Sequence, residues 1–581
     1  MKNYVYIIIG FLTLTSVAVF GQVLSGSKIP ELESSQWPKE SVFLHINASL
    51  FMPGEQLLYS FYLRESESLK PSLLSKIGYV ELVNSGHNSV FKHKLKLVNG
   101  ISQGDFLIPN NLASGNYKLV GYTNWMRNFG VASFFIADIS IVNPYKALTT
   151  NYVGFETSDN LPIKKRLSQQ PLENPSVKTV LRQRVNKREK VKLTLILNNG
   201  TAKNSNLSIS VRKCPNLIQP ELPNAESDIV TKKTKSDNLK DNLIYIPEFR
   251  GELIGGRLID IKTNKPSPNQ EIAVSLSGQE NEFKILNTNG RGYFFGSLFY
   301  DSDASIIYYK VLNNPTNQFR VEPIDDKIID YKNLDFEKLT LQASDAEYIK
   351  SRSIFNQIEN AFANLKKDSL IDVKKIDNFS FKSTEVFVLD EFSRFSTFEE
   401  TAVEILNNVW VENDQNGEKS IRIRSVNQYA LSYHPSLILL NGVFVEQHED
   451  ILNIDAKLIK EIKIIRNQYL YGSAIFNGIM IISTFDDKYV EQNHTDYTAK
   501  FDYVPSQRKK VLFQPNYNRN PQARVPDYRR QLLWLPNFQL KNNTSEIFFY
   551  TSDVSGRFQV SLEGFTDEGI PISIRTFFTV N

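Results

Sequence analysis

The sequence has few of the cysteine and histidine residues that form disulfides, metal sites and many active sites. It contains a single cysteine, Cys214, which excludes an internal disulfide and a cysteine-based zinc cluster. Of its six histidines, none belongs to the His-Glu-x-x-His pair of a zinc protease. Lys and Arg total 67 against 63 Asp and Glu, and this net charge of +4 gives no reason to expect nucleic-acid binding.

Signals for catalysis are also missing. No Gly-x-Ser-x-Gly elbow occurs, since Gly472-Ser473 lacks the flanking pattern. Only His87 and His93 are close among the histidines. On one strand they would share a face, which leaves open a metal site or a dispersed active site. We expect a non-enzymatic protein without a catalytic residue, a cofactor or a metal.

The first residues predict export. One charge, Lys2, precedes an almost entirely apolar run over residues 5–20, which is the layout of a secretory signal peptide cleaved before Gln22. The alternative is an N-terminal membrane anchor, but the run is short for a span and lacks a basic flank. We therefore expect residues 1–21 to be removed.

The rest of the chain is rich in strand signals. Hydrophobic residues make up 41% and include 38 Phe and 26 Tyr, which is enough for several cores. Between residues 41 and 143, short runs alternate apolar and polar residues and are separated by Gly, Pro and Asn turns. This pattern predicts antiparallel sandwiches. We predict a mainly β, multidomain fold of tandem antiparallel β-sandwiches with a small α+β domain near the C-terminus.

Two of the predicted units carry family resemblances. In the first unit the relevant runs are Met52-Pro53-Gly54-Glu55, Gly104-Asp105-Phe106 and Ser114-Gly115-Asn116-Tyr117. They resemble a macroglobulin-type β-sandwich, although thioester chemistry needs a thiol where Pro53 stands and is therefore excluded. Further along, a glycine-bearing strand at residues 253–260, a turn at Pro266 and an aromatic strand after residues 290–292 resemble the carboxypeptidase regulatory-like domain. That resemblance implies no peptidase residues.

A third resemblance lies between residues 386 and 485. An Asn-Gly turn joins apolar runs at residues 437–440 and 443–445, which is the strongest short hairpin signal. An alternating strand at residues 458–466, a Tyr-Gly turn and an apolar strand at residues 479–484 follow. This order resembles the plug domain of TonB-dependent outer-membrane receptors. The resemblance implies an interaction role for the motif residues, which are Asn441, Gly442, Tyr471, Gly472, Asn477 and Gly478.

Helices and a basic tail complete the local signals. Residues 344–347 form a capping box before one apolar stripe, consisting of Ile354, Ile358, Ala361, Phe362 and Leu365, which predicts a helix packed on a neighbouring domain. A second box at residues 396–399 predicts a short helix. The region from 504 to 530 predicts a solvated face, or a contact with an acidic partner or lipid head groups. Its basic residues are Arg508, Lys509, Lys510, Arg519, Arg524, Arg529 and Arg530.

These signals predict the following organisation: a signal peptide (1–21), a macroglobulin-like sandwich (38–145), a second sandwich unit (175–224), a linker (225–247), a carboxypeptidase regulatory-like sandwich (248–325), a helical connector (340–370), a plug-like domain (384–487) and a C-terminal β domain (500–581).

The function we expect follows from the plug-like resemblance. Residues 486–581 are too few for a receptor barrel of about 22 strands of about ten residues each. We therefore expect an exported accessory protein of the periplasm, or of the periplasmic face of the outer membrane. It would dock through the plug-like domain on an outer-membrane β-barrel partner and gate or close a transport or protein-secretion pore. Membrane association would come from that partner, and no nucleic acid would bind. The alternatives are a cell-surface adhesin or glycan-binding protein, and a macroglobulin-like inhibitor or an enzyme with a dispersed site.

Overall fold

The computed structural model describes residues 37–147, 153–156, 170–198, 200–217, 219–232, 244–299, 304–315, 317–323, 329–371, 384–413, 417–426, 434–518 and 524–581. The predicted signal peptide at residues 1–21 lies outside these ranges. No helix within them is both long and apolar enough to cross a membrane. The chain is mainly β and multidomain, as predicted.

The first sandwich comprises strands β1 (Glu40–Ile46), β2 (Leu50–Phe51), β3 (Gln56–Glu65), β4 (Ile77–Val83), β5 (Ser89–Lys96), β6 (Ile101–Leu107), β7 (Gly115–Tyr122) and β8 (Phe135–Ile141). Its two sheets run in the orders β1-β3-β6 and β2-β8-β7-β4-β5. Alternate side chains point inward and form an aromatic-rich core that includes Phe43, Phe61 and Phe135.

The next elements are β9 (Val153–Glu156), β10 (Val177–Val180), β11 (Arg184–Val185), β12 (Lys190–Leu197), β13 (Ser205–Lys213) and helix α1 (Ala225–Lys232). The prediction of a linker at residues 225–247 is wrong for its first part. Helix α1 buries Ala225 in the core of the first sandwich, and Asp228 forms a buried ion pair with Arg64 (Oδ2 to Nη2, 3.1 Å). A polar residue of this segment, Asp228, therefore contacts the first sandwich. Residues 233–243 lie outside the described ranges.

The small sandwich comprises β14 (Glu252–Asp260), β15 (Lys265–Pro266), β16 (Glu271–Leu276), β17 (Gln279–Asn287), β18 (Tyr293–Leu298), β19 (Ile306–Val311) and β20 (Phe319–Pro323). Strands β15, β18 and β20 pair with β14 in one sheet, and β17-β16-β19 is the path of the other. These strands all lie within the predicted 248–325 unit.

The elements that follow are β21 (Leu339–Gln342), α2 (Ala346–Ala361), β22 (Ser369–Leu370), β23 (Thr384–Val388), α3 (Phe398–Glu404), β24 (Val409–Asn413), β25 (Lys419–Ile423), β26 (Leu437–Leu440), β27 (Val443–Val445), α4 (Glu449–Leu452), β28 (Ile459–Tyr471), β29 (Ala474–Thr484) and α5 (Tyr489–Asn493). Strand β21 pairs in parallel with β9. Five strands between residues 384 and 487 form a mixed sheet in the order β23-β28-β29-β26-β27, in which β26 and β29 run parallel and the other neighbours antiparallel. We call this the 384–487 unit.

The last strands are β30 (Ala499–Asp502), β31 (Lys510–Val511), β32 (Gln531–Leu540), β33 (Thr544–Tyr550), β34 (Gly556–Thr566) and β35 (Pro571–Val580). Strand β30 joins β19 of the small sandwich, and β31 pairs with β22. Strands β32–β35 share sheets with β10–β13, in the orders β10-β12-β33 and β11-β35-β34-β13-β32. The two β units predicted at 175–224 and 500–581 are therefore halves of one composite sandwich with a single core.

Both the N-terminal cap and the buried face of helix α2 differ from those that the sequence predicts. Asp345 accepts from the backbone N–H of Gln342 (2.9 Å) and so completes a capping box on the 3₁₀ turn Ala343–Asp345, two residues before the predicted box. As the N-cap of α2 itself, Asp345 makes no side-chain cap bond. The predicted apolar stripe is wrong, because Ile354 is 45% exposed. The buried face is polar instead and consists of Arg352, Ser353 and Asn356. The short helix predicted after the second box is present as α3, but its cap lies one residue later than predicted, with Thr397 accepting from the N–H of Glu400 (3.2 Å).

Candidate functional site

The Asn441-Gly442 turn of the plug-like motif forms the predicted hairpin between β26 and β27. Leu440 pairs with Val443, and φ is 45° at Asn441 and 81° at Gly442, which is the backbone of a two-residue turn that favours Asn-Gly. The Asn441 amide donates to Thr484 Oγ1 (2.7 Å) and accepts from the Thr484 N–H (2.8 Å). Its carbonyl accepts from the N–H of Gly278 in the small sandwich (2.7 Å). Asn441 therefore holds the turn to β29 and to the neighbouring unit.

Tyr471 and Gly472 lie at the tip of the β28–β29 hairpin, and this tip leans on the small sandwich. Gly472 has φ 59°, and a Cβ there would lie 2.6 Å from the carbonyl oxygen of Ile285. The ring of Tyr471 packs edge-on against Phe283, with 5.1 Å between centroids. Glycine is required at the tip by both the left-handed backbone and the close approach.

Asn477 and Gly478 lie inside the sheet, at an irregularity in the β28–β29 register. The Asn477 amide donates to the carbonyl of Ile423 (3.1 Å), and its N–H donates to the carbonyl of Pro435 (2.8 Å). Gly478 has φ 81°, and a Cβ there would lie 2.8 Å from the Cβ of Ile423. These two residues allow the β24–β25 hairpin to pack closely on the sheet.

One face of the sheet is covered by the small sandwich. An apolar cluster joins Phe444 and Phe476 of the 384–487 unit to Phe283 and Ile285 of the small sandwich. The N–H of Phe444 also donates to Ser275 Oγ (3.1 Å) across this contact. The opposite face of the sheet packs on its own helices α3 and α4.

The plug-like motif residues consequently fall into two groups. Asn441, Gly442, Asn477 and Gly478 are buried, whereas Tyr471 is half-buried and Gly472 is exposed. The structure thus brings all six into the sheet and its contact with the small sandwich. Their predicted role toward an external partner stays a prediction.

An exposed apolar pair lies beside the motif and was missed by sequence reasoning. Leu470 and Ile475 face each other across the tip of the β28–β29 hairpin and are 69% and 37% exposed. They point away from Tyr469 and Tyr471, since adjacent strand residues face opposite sides. The alternation of apolar and aromatic residues around a two-residue turn is the signal that could have found them.

His87 and His93 do not share a strand face, so the arrangement that left a metal site open does not form. Strand β5 begins at Ser89, and His87 lies in the preceding turn with its Nδ1 2.9 Å from the carbonyl of Tyr331. His93 Nδ1 is 2.8 Å from the hydroxyl of Tyr59, and burial lowers the pKa of His93 to about 4. Among the described residues, no group of three or more His, Cys, Asp or Glu is arranged to hold a metal.

The basic tail is not the uniformly solvated face that its composition predicts. Lys510 pairs with Asp105 of the first sandwich (Nζ to Oδ2, 2.6 Å), and Arg529 pairs with Asp527 (2.7 Å). Arg530 is 8% exposed. These residues make contacts within the chain, while Arg519 lies outside the described ranges.

Comparisons with known proteins assign no family. No family model and no curated protein matches the chain. Solved structures that match include α2-macroglobulin of Salmonella reacted with methylamine (8% identity, 93% of this chain, 39% of that chain, TM-score 0.21). They also include Escherichia coli α2-macroglobulin activated by trypsin (8%, 93%, 41%, TM-score 0.23) and by porcine elastase (9%, 93%, 44%, TM-score 0.24). The chain spans less than half the length of these proteins. The sandwich architecture described above is derived from the strand pairing and not from these similarities.

Proposed function

We propose that this chain is a non-enzymatic exported accessory protein that docks through the 384–487 unit on the periplasmic side of an outer-membrane β-barrel. There it gates or closes a transport or protein-secretion pore. The observation that supports this is the series of hairpin, strand, turn and strand, which forms in the order that the plug-like resemblance implies. The exposed pair Leu470 and Ile475 at the hairpin tip gives the unit an apolar contact point.

The proposed mode of docking keeps the 384–487 unit on the small sandwich. Separating the two would expose Phe283, Phe444 and Phe476, all of which are buried in their contact. Burying a side chain of this size contributes about 1.5–3 kcal/mol, so separation would cost about 5–9 kcal/mol for these three alone. We therefore propose that both units dock together at the mouth of the barrel, with the hairpin tip as the contact.

Pull-down of the tagged chain from solubilised outer membranes tests this proposal. The wild-type chain is expected to recover a β-barrel protein, and Leu470→Glu is expected to reduce that recovery because it places a charge in an apolar contact. The matched control is Phe548→Glu, since Phe548 is also exposed (48%) but lies on β33 of the composite sandwich. Recovery of no barrel by the wild type, or equal recovery by Leu470→Glu and wild type, would contradict the proposal.

A further inference from the structure

A cavity of about 80 Å³ lies where the first sandwich, helix α2 and the composite sandwich meet. Its walls come from residues 46–50, from the end of β13, from α2 and from the residues before β32. Five basic side chains line this junction cavity: Arg212, Lys213, Arg352, Arg530 and Arg575. The one acidic residue in the described lining is Glu221, which is exposed.

Two of these arginines, Arg352 and Arg212, already share one carboxylate. Glu55 accepts two hydrogen bonds from Arg352 (Nε to Oε1, 2.8 Å; Nη2 to Oε2, 2.7 Å) and one from Arg212 (3.2 Å). Burial acts to raise the pKa of Glu55, but the charges of Arg352, Arg212 and Arg530 outweigh it and hold the pKa at about 2. Glu55 is therefore ionised, and it neutralises one of three buried guanidinium groups.

The excess positive charge shows in the pKa values of Arg212 and Arg530, whereas Glu55 raises that of Arg352. The pKa of Arg212 is lowered to about 10: burial is the largest cause, attraction by Glu55 opposes it, and repulsion by Arg352 and Arg530 adds to the lowering. The pKa of Arg530 is lowered in the same way, by burial and then by Arg352. Two like charges held together in a poorly solvated place favour the binding of a negative charge.

Two hydrogen-bond donors of the cavity lining are also unused. Arg352 Nη1 and Arg530 Nε have no hydrogen-bond partner among the described residues, although their side chains are almost fully buried. Arg530 makes its other contact through Nη2, which donates to the hydroxyl of Tyr348 (2.6 Å). Buried donors normally have partners, so these two groups leave unmet hydrogen-bonding capacity in residues that line the cavity.

We propose that the junction cavity binds a small oxyanion of the phosphate or sulfate type. The forked guanidinium group matches the oxygens of such anions better than it matches a halide. The volume is larger than the roughly 30 Å³ that one water occupies in the liquid and much smaller than the roughly 300 Å³ of the smallest organic-ligand pockets. It therefore suits an ion, or the terminal phosphate of a larger molecule. Bound there, the anion would connect three parts of the chain.

Thermal unfolding of the full chain tests the proposal, with sodium phosphate compared with sodium chloride at equal ionic strength. Phosphate is expected to raise Tm in a saturable way, because a ligand of the folded state stabilises it. The rise is expected to be lost in Arg530→Gln and kept in the matched control Arg257→Gln, which lies in the small sandwich. If Arg530→Gln does not fold, Lys213→Gln replaces it under the same criterion. A rise no larger than that with chloride, or an equal rise in the cavity variant, would overturn the proposal.

A second readout uses the single cysteine. Cys214 lines the cavity and is 7% exposed. Phosphate is expected to slow the alkylation of Cys214 by a small thiol reagent, in proportion to the fraction of protein molecules whose cavity holds phosphate. An unchanged alkylation rate in the wild-type chain would count against the site. Glycerol phosphate separates two sources of the ligand. Protection by phosphate alone indicates the free ion, and protection by both indicates the terminal phosphate of a larger molecule.

Discussion

Replacing Arg352 with methionine is expected to lower the free energy of unfolding by about 3 kcal/mol. Arg352 is 2% exposed, and it binds both oxygens of Glu55 and the carbonyl of Leu50 (Nη2 to O, 3.0 Å). Removing one partner of a buried ion pair costs about 3–5 kcal/mol, because the other charge stays buried and unpaired. Arg212 still contacts Glu55 at 3.2 Å, which places the expected loss at the lower end.

Urea unfolding followed by tryptophan fluorescence measures this loss, in chloride buffer without phosphate. Trp534 suits the assay, because its ring lies 5.2 Å from His45 across the contact between the first and composite sandwiches. The variant Arg352→Lys is expected to recover more than half of the loss relative to Arg352→Met, because it restores a positive charge beside Glu55 and leaves the contact of Glu55 with Arg212 in place. The control Arg257→Met, at a half-exposed position, is expected to stay within about 1 kcal/mol of wild type.

Two results would refute this reasoning. A loss below about 1 kcal/mol for Arg352→Met would mean that the ion pair does not hold α2 in place. An Arg352→Lys variant no more stable than Arg352→Met would mean that the loss comes from packing and not from the buried charge of Glu55.

Three further predictions follow from the turn, a buried carboxyl and the proposed compartment. Gly442→Ala is expected to destabilise by about 1–2 kcal/mol in urea unfolding because φ is positive there, whereas Gly200→Ala, which meets no atom within 4 Å, is expected to be neutral. Burial raises the pKa of Glu563 to about 8, so in the folded chain this carboxyl keeps a proton that it releases near pH 4.5 in the unfolded chain. The contribution of Glu563 to stability is expected to fall between about pH 5 and pH 8, and the difference in unfolding free energy between wild type and Glu563→Gln, measured across pH, should follow that fall. Protease added to intact cells is expected to leave the chain uncut, and rapid cleavage would favour the adhesin alternative.

Local chemistry explains what the sequence could predict. The Asn441-Gly442 turn was predictable because a two-residue hairpin needs positive φ at both positions and few residue pairs accept it. Period-2 alternation likewise predicted antiparallel strands and a sandwich class. Both signals act over a few residues, and neither depends on a distant partner.

The remaining features depend on contacts between distant parts of the chain. Strand β13 pairs with β32 and β34 more than 300 residues away, and nothing in its own pattern identifies those partners. Helix α2 buries Arg352 because Glu55 supplies the opposite charge from another unit, so an apolar stripe was the wrong guide. The motif residues around Asn441 were predictable as a cluster, but their burial was not, since the covering face belongs to the small sandwich.

Photocrosslinking in living cells tests the central claim most directly. A photoreactive residue replaces Leu470 at the exposed hairpin tip, and a matched one replaces Phe548 on the composite sandwich. A crosslink to an outer-membrane β-barrel protein is expected from position 470 and none from position 548. A crosslink to no barrel protein from position 470, in cells where the chain is folded and exported, would contradict it.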